Sequence, residues 1–170
     1  MNFSSTRLLE YIPKIIIPAL FATLRMLLFS MLISVVLGTL IGIILTVTGS
    51  GDLKENKKVY GIVSFLVNTI RAFPVIILIV AITPLTKFIV GTSIGEQAAI
   101  VPLSIAATPV IARLIQSSFD EVDRNLIIAA KSFGASTMQI IFKVLFVEAL
   151  PSIISGLTTT TILFLGSITL

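Results

Sequence analysis

MLLFSMLISVVLGTLIGIILTV, residues Met26–Val47, is a run of 22 residues without a charged group. A helix needs about 20 predominantly apolar residues to cross the hydrocarbon core of a bilayer. Within the run Ser30, Ser34, Gly38, Gly42 and Thr46 recur at every fourth position, which gathers them on one stripe of a helix. Gly38 and Gly42 form a Gly-x-x-x-Gly pair, the spacing that lets a second helix backbone approach closely. The expectation is a membrane helix whose small-residue face packs on another helix of the same chain. A contact between subunits or the lining of a translocation path is the alternative.

Working outward, the same pattern repeats. Ala149–Leu170 is a second uncharged run, and Gln97–Phe119 is interrupted only by Arg113. Val59–Thr86 is split by Arg71, so Tyr60–Ile70 reads as a lead-in along the inner surface and the span proper begins after Arg71. Lys87 then snorkels towards the outer headgroups. The sequence thus predicts an all-α, polytopic membrane helix bundle. Its four spans cover about 20–47, 72–90, 97–118 and 149–170, and residues 1–170 make a single transmembrane domain. The first run is too long for the apolar core of a signal peptide and lacks a small-residue cleavage site, so it reads as a retained span.

Composition agrees with this. Only 12% of the 170 residues are charged and 56% are hydrophobic, whereas a soluble domain carries about a quarter of its residues as charges. A soluble enzyme is nearly excluded. The absence of His and Cys removes the usual metal-ligand sets, thiol chemistry and the commonest general base, so no cofactor or metal is expected. The net charge of +4 is spread among apolar runs rather than gathered on one face, which argues against nucleic acid.

Basic residues set the orientation. Lys54, Lys57, Lys58, Arg113, Arg124, Lys131 and Lys143 fall in or beside two of the connections, against Arg7, Lys14 and Lys87 on the other side. Cytoplasmic loops collect Lys and Arg, so the first and third connections are expected inside and the N-terminus outside. No acidic residue falls at mid-depth in a span, Glu96 and Glu148 being at span ends, and no phosphate-binding Gly-x-x-x-x-Gly-Lys-Ser/Thr loop occurs. Ion-coupled transporters and pumps keep such groups within the membrane. A transport function would therefore need an energising partner.

The connection between the third and fourth spans, about 120–140, has clear local punctuation. Asp123 is placed as a helix N-cap, with Asp120 and Glu121 before it. Gly134 stands where a left-handed residue would end that helix. Ser136 and Gln139 have capping-box spacing for the next helix. Ala129 and Ala130 keep the short helix thin enough for a groove on a partner protein; a helix lying on lipid headgroups through Leu126, Ile127 and Phe133 is the competing reading.

Ala129-Ala130, then Gly134, with Leu150-Pro151 further on, resembles the cytoplasmic signature of the type I ABC importer permeases. Two departures stand out: Ile128 occupies the place of the usual acidic residue, and Val147 that of a frequent proline. Asn68-Thr69-Ile70-Arg71-Ala72-Phe73-Pro74 resembles a stretch of the amino-acid permeases of this family. The run Ile89–Leu103, Met138-Gln139-Ile140 and Glu148-Ala149-Leu150-Pro151 resemble its methionine-uptake branch.

The resemblance implies a homodimeric permease of a bacterial cell membrane, not itself an enzyme, that imports an amino acid, methionine above all. It implies an ATPase subunit below, met by a coupling helix at Ala129, Ala130, Lys131 and Gly134, and an extracytoplasmic substrate-binding protein above. A fifth span and a basic tail would follow Leu170, so the chain is expected to be truncated. A permease for another amino acid or small solute, or a membrane scaffold without transport, is the alternative. Arg25 and Arg71 read as snorkelling side chains or, alternatively, as contacts for a ligand carboxylate.

Overall fold

A computed structural model describes residues 12–49 and 53–168, and every regular element among them is helical. Helix α1, Ile17–Thr48, continues from a π-helical turn at Ile12–Ile16. Helix α2 is Lys57–Ala72 and α3 is Val75–Val90. The long α4, Glu96–Asp120, is followed by the short α5, Arg124–Ser132. One turn, α6 at Thr137–Ile140, passes through a π-helical turn at Ile141–Leu145 into α7, Phe146–Ile168. Arg7, Glu10 and the terminal Thr169-Leu170 lie outside the described residues.

Three helical stretches are long and apolar enough to cross a membrane, or four when α2 and α3 are taken as one bent span. The bend between those two is 112°, and its cause is local. Pro74 has no N–H to continue the ladder of α2 and sterically drives the preceding residue out of the helical region. Phe73 accordingly adopts φ −84°, ψ 133°.

Helix α4 is the axis of the bundle, packed against α1, α2, α3 and α7. Its Ala107, Ile111, Ala112 and Ile115 are buried, with Leu45 of α1 and Leu145 before α7. Phe119 meets Phe146 edge to face at 5.0 Å, and Phe142 stacks on Phe146 at 5.6 Å. These rings fix the end of α4 against the start of α7.

The α1–α4 contact is made by the glycine pair. A Cβ on Gly38 would stand 2.8 Å from Ile111 Cβ and 2.9 Å from the Thr108 carbonyl oxygen. At Gly42 it would stand 2.8 Å from Ile115 Cβ and 2.9 Å from the Ala112 carbonyl oxygen. Only a residue without a side chain admits backbones this close. Along the same stripe the Ser34 hydroxyl donates to the carbonyls of Ser30, 2.6 Å, and Ser104, 3.0 Å. The opposite face of α1 exposes Leu28, Leu32, Val36 and Leu40, a surface suited to lipid rather than water.

The lead-in expected over Tyr60–Ile70 is a helix that climbs beside α4. Tyr60 neighbours Gln116, Ser64 and Asn68 meet Arg113, and Arg71 shares cavity walls with Val110. Val110 is ten residues in from the end of α4, about 15 Å at the helical rise. Arg71 is thus carried about three helical turns along α4, where it is exposed in the single chain beside the half-buried Arg113.

Candidate functional site

The segment α5–α6 is organised by its own short-range hydrogen bonds. The Asp123 carboxylate accepts from the Asn125 N–H at 2.9 Å, which caps the first turn of α5. At the other end Gly134 has φ +77°; its N–H donates to Lys131 O at 2.9 Å, and the Ala135 N–H donates to Ala130 O at 3.0 Å. This pair of bonds is the Schellman arrangement, which needs a left-handed residue at the turn. A capping box then opens α6: the Ser136 N–H donates to Gln139 Oε1 at 2.8 Å, and the Gln139 N–H to Ser136 Oγ at 3.3 Å.

Of the residues singled out from sequence, Ala129 and Lys131 are exposed, Ala130 is half-buried, and Gly134 is exposed with open space around it. Beside them Phe133 is 91% exposed and Ile128 59% exposed. A thin helix with a bare aromatic at its end is therefore presented away from the bundle. Its inner side is held by Ile127 and Ala130 against the core.

Glu121, ahead of the α5 cap, is tied to α7. The Ser152 hydroxyl donates to Glu121 Oε2 at 2.8 Å and lies 3.1 Å from the hydroxyl of the buried Ser118. Since the Ser152 proton is committed to the carboxylate, Ser118 is the donor of the second bond. The chain Ser118–Ser152–Glu121 thereby joins α4, α7 and the approach to α5.

Between α5 and the helix ends is a cavity of about 420 Å³, bordered by Tyr60, Gln116, Phe119, Arg124 and Lys131. Above it lies a polar cluster that the sequence reading missed. Arg113 donates to Gln116 Oε1 at 2.7 Å, to Asn68 Oδ1 at 3.0 Å and to Ser64 Oγ. The available signal was the spacing of Tyr60, Ser64 and Asn68, one polar residue per helical turn of α2, together with an arginine inside an apolar run. Three of the four consecutive threonines of α7 bond back to carbonyls one turn earlier, Thr158 to Ile154, Thr159 to Ser155 and Thr161 to Leu157. The fourth, Thr160, is buried and faces a second cavity beside Arg113.

Comparison with known proteins gives a consistent picture. The family of binding-protein-dependent transport system inner membrane components matches residues 38–170. The chain is 46% identical over 144 residues to the D-methionine transport system permease protein MetI of Yersinia pestis, covering 85% of this chain and 66% of that one. It is 43% identical over 152 residues to MetI of Escherichia coli K12, covering 89% and 70%. With the methionine import system permease protein MetP of Bacillus subtilis it shares 45% identity over 124 residues, covering 73% and 56%. The chain thus spans between about half and about two thirds of the length of these relatives. An inward-facing structure of the MetNI methionine ABC transporter superposes with a TM-score of 0.90 at 42% identity, covering 92% of this chain and 73% of that one. The match over residues 38–170, with relatives of this identity, places the chain in the family of binding-protein-dependent transport system inner membrane components.

Proposed function

We propose that the chain is the translocating part of the permease subunit of an ATP-driven methionine importer, with residues 12–168 contributing to the pathway and α5–α6 docking on a separate ATPase. The observation that carries this reading is the match to the inward-facing permease of a methionine ABC transporter, at 42% identity over 92% of the chain. The exposed, doubly capped α5 supports it physically. Rigid ends at Asp123 and Gly134 let a short helix transmit force, whereas a fraying one would absorb it. The tie from Glu121 through Ser152 gives that movement a route into α7. An extracytoplasmic binding protein would deliver the ligand, and a second copy of the permease would complete the pathway. The basic connections 53–58 and 124–143 favour the cytoplasm, which leaves the N-terminus outside.

The test is uptake of labelled methionine into vesicles carrying the permease that contains this chain, its ATPase and its binding protein. ATP-dependent accumulation that unlabelled methionine suppresses more strongly than other amino acids is expected. Stronger suppression by another amino acid would reassign the substrate while leaving the transport function. A cysteine at Ala129 that crosslinks to the ATPase would support the docking role, and a crosslink to lipid alone would contradict it.

A further inference from the structure

We propose that Arg71 and Arg113 form a carboxylate receptor within the translocation path, with the adjoining hollow taking the apolar side chain of the same ligand. This rests on the reading of the chain as an amino-acid permease. The two guanidinium-bearing residues line one cavity of about 460 Å³, together with Gln116, Ser117, Asp120 and Thr160. Two cations against one carboxylate leave that cavity with net positive charge. The three side-chain acceptors that hold Arg113 are all neutral oxygens, so they orient the fork without cancelling its charge. Arg71 makes no hydrogen bond or ion pair among the described residues.

A cation at membrane depth, as the half-buried Arg113 is, is costly and marks a ligand or ion path by default; the exposed Arg71 stands at the open side of the same cavity. If Arg71 served only to reach the headgroups, no second arginine need share its cavity. A planar guanidinium matches a carboxylate bidentately, which is the chemistry such a pair offers.

The neighbouring hollow supplies the other half of the recognition. It is about 140 Å³ and is walled by Ile70, Phe73, Leu78, Ala106, Val110 and Phe164, with Arg71 again at its edge. Arg71 and Val110 border both spaces. One ligand with a charged acid group and a short apolar side chain therefore spans the two. The second hollow lies at the bend, where Phe73 and Leu78 from the two sides of Pro74 wall it together with Ala106 and Val110 of α4.

The experiment uses the complete permease with its ATPase in liposomes, and photo-methionine, a diazirine analogue, as the probe. In the wild type, label is expected on peptides of α2, α4 and α7, competed by methionine and roughly tenfold less well by methionine amide, which lacks the anion. In Arg71→Gln and Arg113→Gln the labelling should fall roughly tenfold and the preference for methionine over its amide should vanish. Arg113→Lys keeps a charge at the site, and should keep part of that preference while showing that insertion is intact. Unchanged labelling and unchanged preference in both Gln variants would overturn the receptor. So would label that added anionic phospholipid displaces and methionine does not, since the arginines would then serve a headgroup phosphate. A wild type that labels but accumulates no methionine on adding ATP and binding protein would instead overturn the function proposed above.

Discussion

Gly42 and Gly134 are the same residue used for opposite physical reasons. Gly42 has ordinary helical backbone and no room: a Cβ there meets Ala112 O at 2.9 Å. Gly134 has ample room and a left-handed backbone, φ +77°. Replacing Gly42 by Val should overpack the α1–α4 seam, at a cost of about 1–3 kcal/mol, read as a lower unfolding temperature of the purified permease. Gly61→Ala is the control, because nothing lies within 4 Å of its added Cβ; it should leave that temperature unchanged or raise it slightly. Gly134→Val should cost about 1–2 kcal/mol through backbone strain alone. Its effect should be confined to the α5–α6 turn, with membrane insertion retained and methionine uptake lost. Equal loss of insertion in Gly134→Val and Gly42→Val would deny the distinction between the two glycines.

At the scale of elements, the α5–α6 segment was the most readable part of the chain. Asp123, Gly134, Ser136 and Gln139 act on backbone groups two to four residues away, so their spacing alone specifies the caps that are observed. Removing one cap tests the idea that α5–α6 is locally rigid. Ser136→Ala should cost about 1 kcal/mol at the start of α6. Hydrogen exchange should then quicken for the Thr137–Ile140 amides and leave those of α4 unchanged; a global increase would mean that the cap supports the whole bundle. The α2–α3 pair was less readable. Arg71 splits the apolar run in the sequence, but Pro74 is what breaks the helix, and α2 packs beside α4 because its polar face has Arg113 to meet.

For the whole molecule, topology is the property with the most direct test. The chain has no cysteine, so single cysteines report without background. Ser93→Cys, between α3 and α4, should react with a membrane-impermeant maleimide in intact cells; Ser132→Cys, at the end of α5, should react only after lysis. The reverse pattern would invert the proposed orientation. The same scale explains why much apolar surface remains uncovered: Leu32, Val36 and Leu40 on α1 and Ile62 and Phe65 on α2 are exposed in the single chain. In a bilayer these faces meet acyl chains, which do not require the burial that water would impose.

What the sequence determined by itself was what one residue's near neighbours can specify. Uninterrupted apolar length set the helices that can cross a membrane, every-fourth-residue spacing set the small stripe of α1, and local capping chemistry set the two ends of α5. Tertiary structure decided which stripe meets which helix and where the arginines go. Gly38 and Gly42 found Ile111 and Ile115 rather than another subunit, and Arg71 came to share a cavity with Arg113, 42 positions further along the chain. The reason is that an isolated arginine in an apolar run carries the same local signal whether it snorkels or turns inward. Its fate depends on acceptors offered by another helix, here Ser64 and Asn68 for Arg113, and no spacing within one segment encodes that meeting.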